Sequence, residues 1–115
     1  MKQLTLLFLI ISGVMLTQTT TASAQQAAFD SANTLLEEQQ YSEAIEAYKS
    51  IYEKGQISGA LWLNLGVAYA RVDSLGKAKY YLMRASEYPE TEQIAESSLE
   101  RIESQFSRRS AVLPM

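Results

Sequence analysis

The stretch ALWLNLGVAYA, residues 60–70, is apolar on nearly every side and carries Gly66 near its centre. A surface helix of a globular protein shows one apolar stripe and one polar face. A membrane-spanning helix needs roughly 20 apolar residues, and this run is shorter. The stretch therefore predicts a helix gripped by neighbours on several faces. The glycine predicts a place where one of those neighbours comes close.

Sliding the chain past itself until Ala44, in YSEAIEAY, falls on Ala78, in LGKAKYYL, accounts for both features. The same shift sets Ala32 on Gly66, Leu35 on Tyr69, Tyr41 on Leu75, Tyr48 on Leu82 and Glu53 on Glu87. Identities are few, but size and polarity agree at most apolar positions. The period is about 34 residues, inside the range of roughly 20–50 that marks an architecture of stacked units.

Helix punctuation supports the same reading. No proline lies between Gln25 and Tyr88. Gly55 stands where a C′ glycine ends a helix, and Ser58 stands where an N-cap begins one. YPET, residues 88–91, stops a helix at Tyr88 and offers Thr91 to cap the next. Five helices are expected, at roughly 26–38, 42–54, 59–72, 75–87 and 91–106. Their short connections make neighbouring helices antiparallel.

The segment LWLNLGVAYARVDSLGKAKYYLMRASEYPE resembles a single tetratricopeptide repeat (TPR). Trp62, Leu65, Gly66, Tyr69, Ala78 and Ala85 stand at the places the family pattern wants, Leu82 takes its usual aromatic position, and Pro89 falls one residue early. Residues 25–58 resemble a weaker first unit. They keep Ala32, Ala44 and Tyr48, put Leu35 at the Tyr position, and have Ala28 and Ser31 in place of Trp and Leu. The resemblance covers residues 25 to about 92, with repeats at about 25–58 and 59–92. It implies an all-α fold of two helical hairpins plus a C-terminal capping helix, an α-solenoid. At the close crossings Gly66 would face Ala78, and Ala32 would face Ala44.

Two hairpins leave one apolar face open. Residues 91–106, TEQIAESSLERIESQF, are expected to cover it with Ile94, Leu99, Ile102 and Phe106, while Glu92, Glu96, Glu100 and Glu103 meet water. The alternative makes this helix the first half of a third unit. The tail SRRSAVLPM, residues 107–115, lacks helical periodicity and is expected to fray.

The 115 residues contain no Cys and no His. That removes thiol nucleophiles, imidazole bases and thiolate or imidazole zinc sites. The acidic residues read as solvated helix faces, and no glycine-rich phosphate loop is present, so neither an enzyme nor a bound cofactor or metal is expected. With 10 basic and 13 acidic residues the net charge is −3, which argues against nucleic acid as a partner. The chain opens with Lys2, an apolar run from Leu4 to Leu16, and ASA at residues 22–24. This is the pattern of a signal peptide over residues 1–24, cleaved after Ala24. An uncleaved anchor is the alternative. The expected location is outside the cytoplasm, in the periplasm or attached to the envelope.

The TPR resemblance also implies where a partner would sit, in the concave groove lined by the first helix of each hairpin. The corresponding positions include Gln26, Phe29, Asp30, Asn33, Leu36 and Glu37, then Ala60, Leu63, Asn64, Val67, Ala70 and Arg71. Phe29, Asn33, Leu36, Glu37, Leu63, Asn64, Val67 and Arg71 are the candidate partner-binding residues. Some relatives hold a peptide's terminal carboxylate with two Asn and three cations. Asn33 and Asn64 fall at the Asn places, but the cation places hold Phe29, Ile94 and Ser98, so no clamp of that kind is expected. The two Asn are expected either to bond a partner's backbone or simply to face solvent. On the first reading, Asn64→Ala with Val67→Glu abolishes binding and leaves thermal stability unchanged.

The leader, the pair YSEAIEAY…LWLNLGVAY…LGKAKYYL and the SRRSAVLP tail are also similar to repeat proteins of bacterial aerotolerance (Bat) operons, in which membrane segments follow the repeats. The expected function is a noncatalytic exported scaffold that binds a protein or peptide. The alternative is a structural subunit that forms homo-oligomers or docks in a membrane complex.

Overall fold

The computed structural model describes residues 22–112. The apolar run Leu4–Leu16, and with it most of the expected signal peptide, lies outside them. Five helices follow one another: α1 (22–37), α2 (Tyr41–Glu53), α3 (Gly59–Arg71), α4 (Leu75–Ser86) and α5 (Glu92–Val112). The described residues contain no strand, so their fold is all-α. None of the helices is long and apolar enough to cross a membrane. Ala24, the expected cleavage position, is an exposed helical residue of α1.

The turns show how the chain reverses. At the end of α1, Gln40 N–H bonds Leu35 C=O at 2.9 Å and Gln39 N–H bonds Leu36 C=O at 3.1 Å. At the end of α3, one period further on, the pattern recurs: Ser74 bonds Tyr69 at 2.9 Å and Asp73 bonds Ala70 at 3.1 Å. Paired six-to-one and five-to-two bonds satisfy the last carbonyls of a helix and need a left-handed residue. Gln39 (φ 64°) and Asp73 (φ 66°) supply it. The end of α2 uses the same device with Gly55 (φ 80°), as the sequence predicts. Gln39 and Asp73 carried no such signal, because neither is glycine. Ser58 caps α3 as expected, its Oγ accepting from Leu61 N–H at 3.1 Å.

Packing follows chain order, each of α3, α4 and α5 against the helix before it. The α3–α4 hairpin is antiparallel. Trp62, early in α3, lies under the Arg84 guanidinium late in α4, whereas Tyr69, late in α3, lies under Lys77 early in α4. Tyr81 stacks on both rings, 5.6 Å from Trp62 and 5.4 Å from Tyr69. Tyr52 of α2 adds a tilted contact to Trp62 at 5.4 Å.

Burial repeats with the sequence shift. Ala32 and Gly66, Ala44 and Ala78, Tyr48 and Leu82, and Ile51 and Ala85 are all buried. The register continues into α5. Its inner stripe is Ala95, Ser98, Leu99 and Ile102, which are the one-period counterparts of Leu61, Asn64, Leu65 and Ala68 in α3.

Gly66 is buried against α4, as its place in the apolar stretch requires. Its nearest neighbour there is Leu82. The three heavy atoms nearest its missing Cβ all belong to Leu82, one turn beyond Ala78 on the same face. Gly59 is a second close approach. A Cβ there would overlap the Thr91 hydroxyl and lie 2.8 Å from Tyr88 Cβ, so the start of α3 is pressed onto the α4–α5 turn. The Thr91 hydroxyl donates to Ala85 C=O at 2.7 Å, tying the turn back to α4.

The last helix departs from expectation in two ways. It runs to Val112, well past residue 106, and so includes most of the tail predicted to fray. Two contacts hold it: Glu103 pairs with Lys79 of α4, and Arg109 bonds the Asp73 carboxylate in the α3–α4 turn. The inner stripe also shifts. Ile94 (57% exposed) and Phe106 (38%) face outward, while Ala95 and Ser98 are buried beside Leu99 and Ile102. Small side chains let α5 lie close to α4. The buried Ser98 hydroxyl is satisfied by donating to Ile94 C=O at 2.9 Å.

Candidate functional site

Four of the eight candidate residues, Asn33, Asn64, Val67 and Arg71, fall on the face of α1 and α3 that α5 extends. Asn33, in the C-terminal part of α1, and Asn64, mid-way along α3, are brought together: Asn64 Nδ2 donates to Asn33 Oδ1 at 2.9 Å. The Tyr48 hydroxyl of α2 donates to the same oxygen at 2.6 Å. Asn33 Oδ1 is thus fully used, and it links three helices. Each amide spends one polar atom inside the molecule and keeps the other. Only Asn33 Nδ2 and Asn64 Oδ1 remain without a partner among the described residues. Removing the Asn64 side chain strips a bond from a half-buried acceptor, so the pair Asn64→Ala with Val67→Glu touches a contact between helices as well as the groove surface. Burial pushes the Tyr48 phenol up to about 12; the nearby Asn64 amide acts against this, and the Glu37 carboxylate adds to it.

Val67 and Arg71, further along α3, line a cavity of about 250 Å3 between α3 and α5. Its apolar floor is Val67, Ala70, Leu82 and Ile102. Arg71 stands on one side, and Arg101, Ser98 and Gln105 of α5 on the other. Arg101 Nη2 donates to Ser98 Oγ at 3.2 Å. Ser98, Arg101 and Gln105 were missed as a set, although the signal was present. The shift that sets Ala44 on Ala78 also carries Asn64, Val67 and Arg71 onto those three positions of the last helix.

The other candidates lie apart from this cavity. Phe29 packs on Tyr48 (ring centroids 6.0 Å) and lines a separate cleft with Gln26, Ile51, Lys54 and Ile57 at the other end of the molecule. Leu36 and Leu63 are half-buried against the core. Glu37 is exposed, and Tyr48 is the group that feels its charge. Among the described residues no group of carboxylates is arranged to hold a metal ion.

These groups offer recognition chemistry: two guanidiniums and an aliphatic floor between α3 and α5, and a free amide N–H on Asn33 of α1. Comparison of the chain with protein-family models, curated proteins and solved structures finds no match.

Proposed function

We propose that this chain is a noncatalytic helical-repeat adaptor of the tetratricopeptide type, exported from the cytoplasm, that holds a protein partner on the face formed by α1, α3 and α5. The observation that carries this reading is the recurrence, one period apart, of the turn hydrogen bonds and of the buried positions. Stacked units of this kind present their first helices side by side. Here those helices bear half-buried, chemically mixed residues instead of a closed polar coat. The leader resembling a signal peptide supports export, and its similarity to Bat-operon proteins supports a place at the envelope.

The test is photo-crosslinking in the native envelope from single positions on either side of the molecule, followed by mass spectrometry. Probes at Asn33, Val67 and Arg71 should capture one protein, and probes at Glu46 and Met83 should not. Capture only from the second pair sinks the groove assignment. The same spectra report whether the mature chain begins at Gln25.

A second reading is self-association through α5, which the outward Ile94 and Phe106 favour. Light scattering on the purified chain separates the two readings. A stable dimer abolished by Ile94→Glu with Phe106→Glu supports the structural-subunit role.

A further inference from the structure

The cavity between α3 and α5 gathers two guanidiniums and no carboxylate. Acids outnumber bases in the chain, 13 to 10. Among the described residues four basic groups pair with carboxylates, Lys49 with Glu46, Lys79 with Glu103, Arg84 with Glu87, and Arg109 with Asp73; Lys54, Lys77 and Arg108 do not, and none of those three lines this cavity. Arg71 and Arg101 are likewise without a carboxylate partner among the described residues, and these two line one cavity to which no Asp or Glu contributes. Two guanidiniums without a carboxylate partner thus line one opening in an acidic protein.

The floor adds the second half of the argument. Val67, Ala70, Leu82 and Ile102 offer aliphatic surface directly beneath the two charges. At about 250 Å3 the cavity falls below the roughly 300–1,000 Å3 of small-molecule sites, so it suits one or two side chains. An occupant that satisfies both halves carries a carboxylate next to an aliphatic group. Arginine's fork bonds a carboxylate through parallel N–H donors, and neither Arg71 nor Arg101 has to give up a carboxylate partner to do so.

From this charge complementarity we infer that the cavity receives an acidic-apolar segment of the partner protein: an Asp or Glu side chain spans Arg71 and Arg101, and an adjacent aliphatic side chain enters the floor. The inference rests on the adaptor reading above and names the chemistry of its partner. The positions differ from those of the terminal-carboxylate clamp, whose cation places are neutral in this chain, and the ligand is a side-chain carboxylate inside a segment.

The experiment uses the full 15N-labelled chain and blocked tripeptides, acetylated at one end and amidated at the other. Leu-Glu-Leu should shift the Arg71 and Arg101 Nε–H resonances and the amides of Val67 and Ile102. Leu-Gln-Leu should bind at least tenfold more weakly. Arg71→Gln and Arg101→Gln, both exposed and outside the core, should each weaken Leu-Glu-Leu binding at least tenfold, and Arg108→Gln should leave it unchanged. Equal binding of the Glu and Gln peptides overturns the inference, as does indifference to both Arg substitutions. Stronger binding of Leu-Gln-Leu with a free terminal carboxylate also overturns it, since the source would then be a chain terminus. If the peptides fail while envelope crosslinks still arise from Asn33 and Val67, this inference falls alone; loss of those crosslinks removes the adaptor reading as well.

Discussion

A Cβ placed on Gly66 would sit 2.8 Å from Leu82 Cγ and 3.2 Å from Leu82 N. The first contact is with a branch point and the second with backbone, so no flexible chain end is available to swing aside. Helix α3 therefore approaches α4 as closely as a glycine allows.

Gly66→Ala should destabilise by about 1–3 kcal/mol, the usual cost of overpacking, although alanine gains about 1 kcal/mol in helix propensity. Gly76, in the first turn of α4, is the matched control, because a Cβ there meets nothing within 4 Å. Gly76→Ala should leave stability unchanged or raise it by up to about 1 kcal/mol. Urea unfolding followed by circular dichroism gives both values. Equal stabilisation by the two substitutions would mean that α3 and α4 do not touch at Gly66.

The bond between Asn33 and Asn64 predicts energetic coupling across 31 residues of chain. Asn64→Ala and Asn33→Ala should each cost about 1–2 kcal/mol, and the double mutant should cost less than their sum by about 0.5–1.5 kcal/mol. Strict additivity in the double-mutant cycle would place the two amides apart in solution.

Tyr48 predicts a signature in alkali. Its native phenol holds the proton up to about 12, while in the unfolded chain it ionises near the ordinary 10.0. The unfolded state therefore binds fewer protons in this window. Tyr48's contribution to stability is complete below pH 10 and is lost as pH rises toward 12, with a slope of at most about 1.4 kcal/mol per pH unit. Other tyrosines and lysines titrate there too, so the measurement is the difference between wild type and Tyr48→Phe. The substituted chain should lose stability less steeply from pH 10 to 12, and parallel curves would place the Tyr48 hydroxyl in water.

The two faces of α5 predict opposite outcomes for residues of the same type. Ile102 is 4% exposed and Ile94 is 57% exposed. Ile102→Ala should cost about 2–5 kcal/mol, and Ile94→Ser less than about 0.5 kcal/mol. A large effect at Ile94 that grows with protein concentration would show that this face is covered by a second copy.

The helices themselves were readable one at a time. The apolar spacing around Leu61, Trp62 and Leu65, the caps at Ser58 and Gly55 and the stop at Pro89 are local signals. Each acts within a turn or two of chain. The helical extension to Val112 was not readable, because residues 104–110 are all exposed and bury no stripe. What favours that extension is a contact 36 residues away, from Arg109 to Asp73.

Composition and order alone made the described region helical, repetitive at one fixed period, and furnished with small side chains where helices cross. Those properties follow from periodicity, which says which side of each helix is turned inward. Which atoms meet across the interior is another matter. That Gly66 meets Leu82 one turn past Ala78, that Asn33 spends its oxygen on Asn64 and Tyr48, and that Arg71 and Arg101 flank one opening all depend on how the packed helices are placed against one another. That placement comes from many side chains interlocking at once, and no local pattern in the chain encodes it.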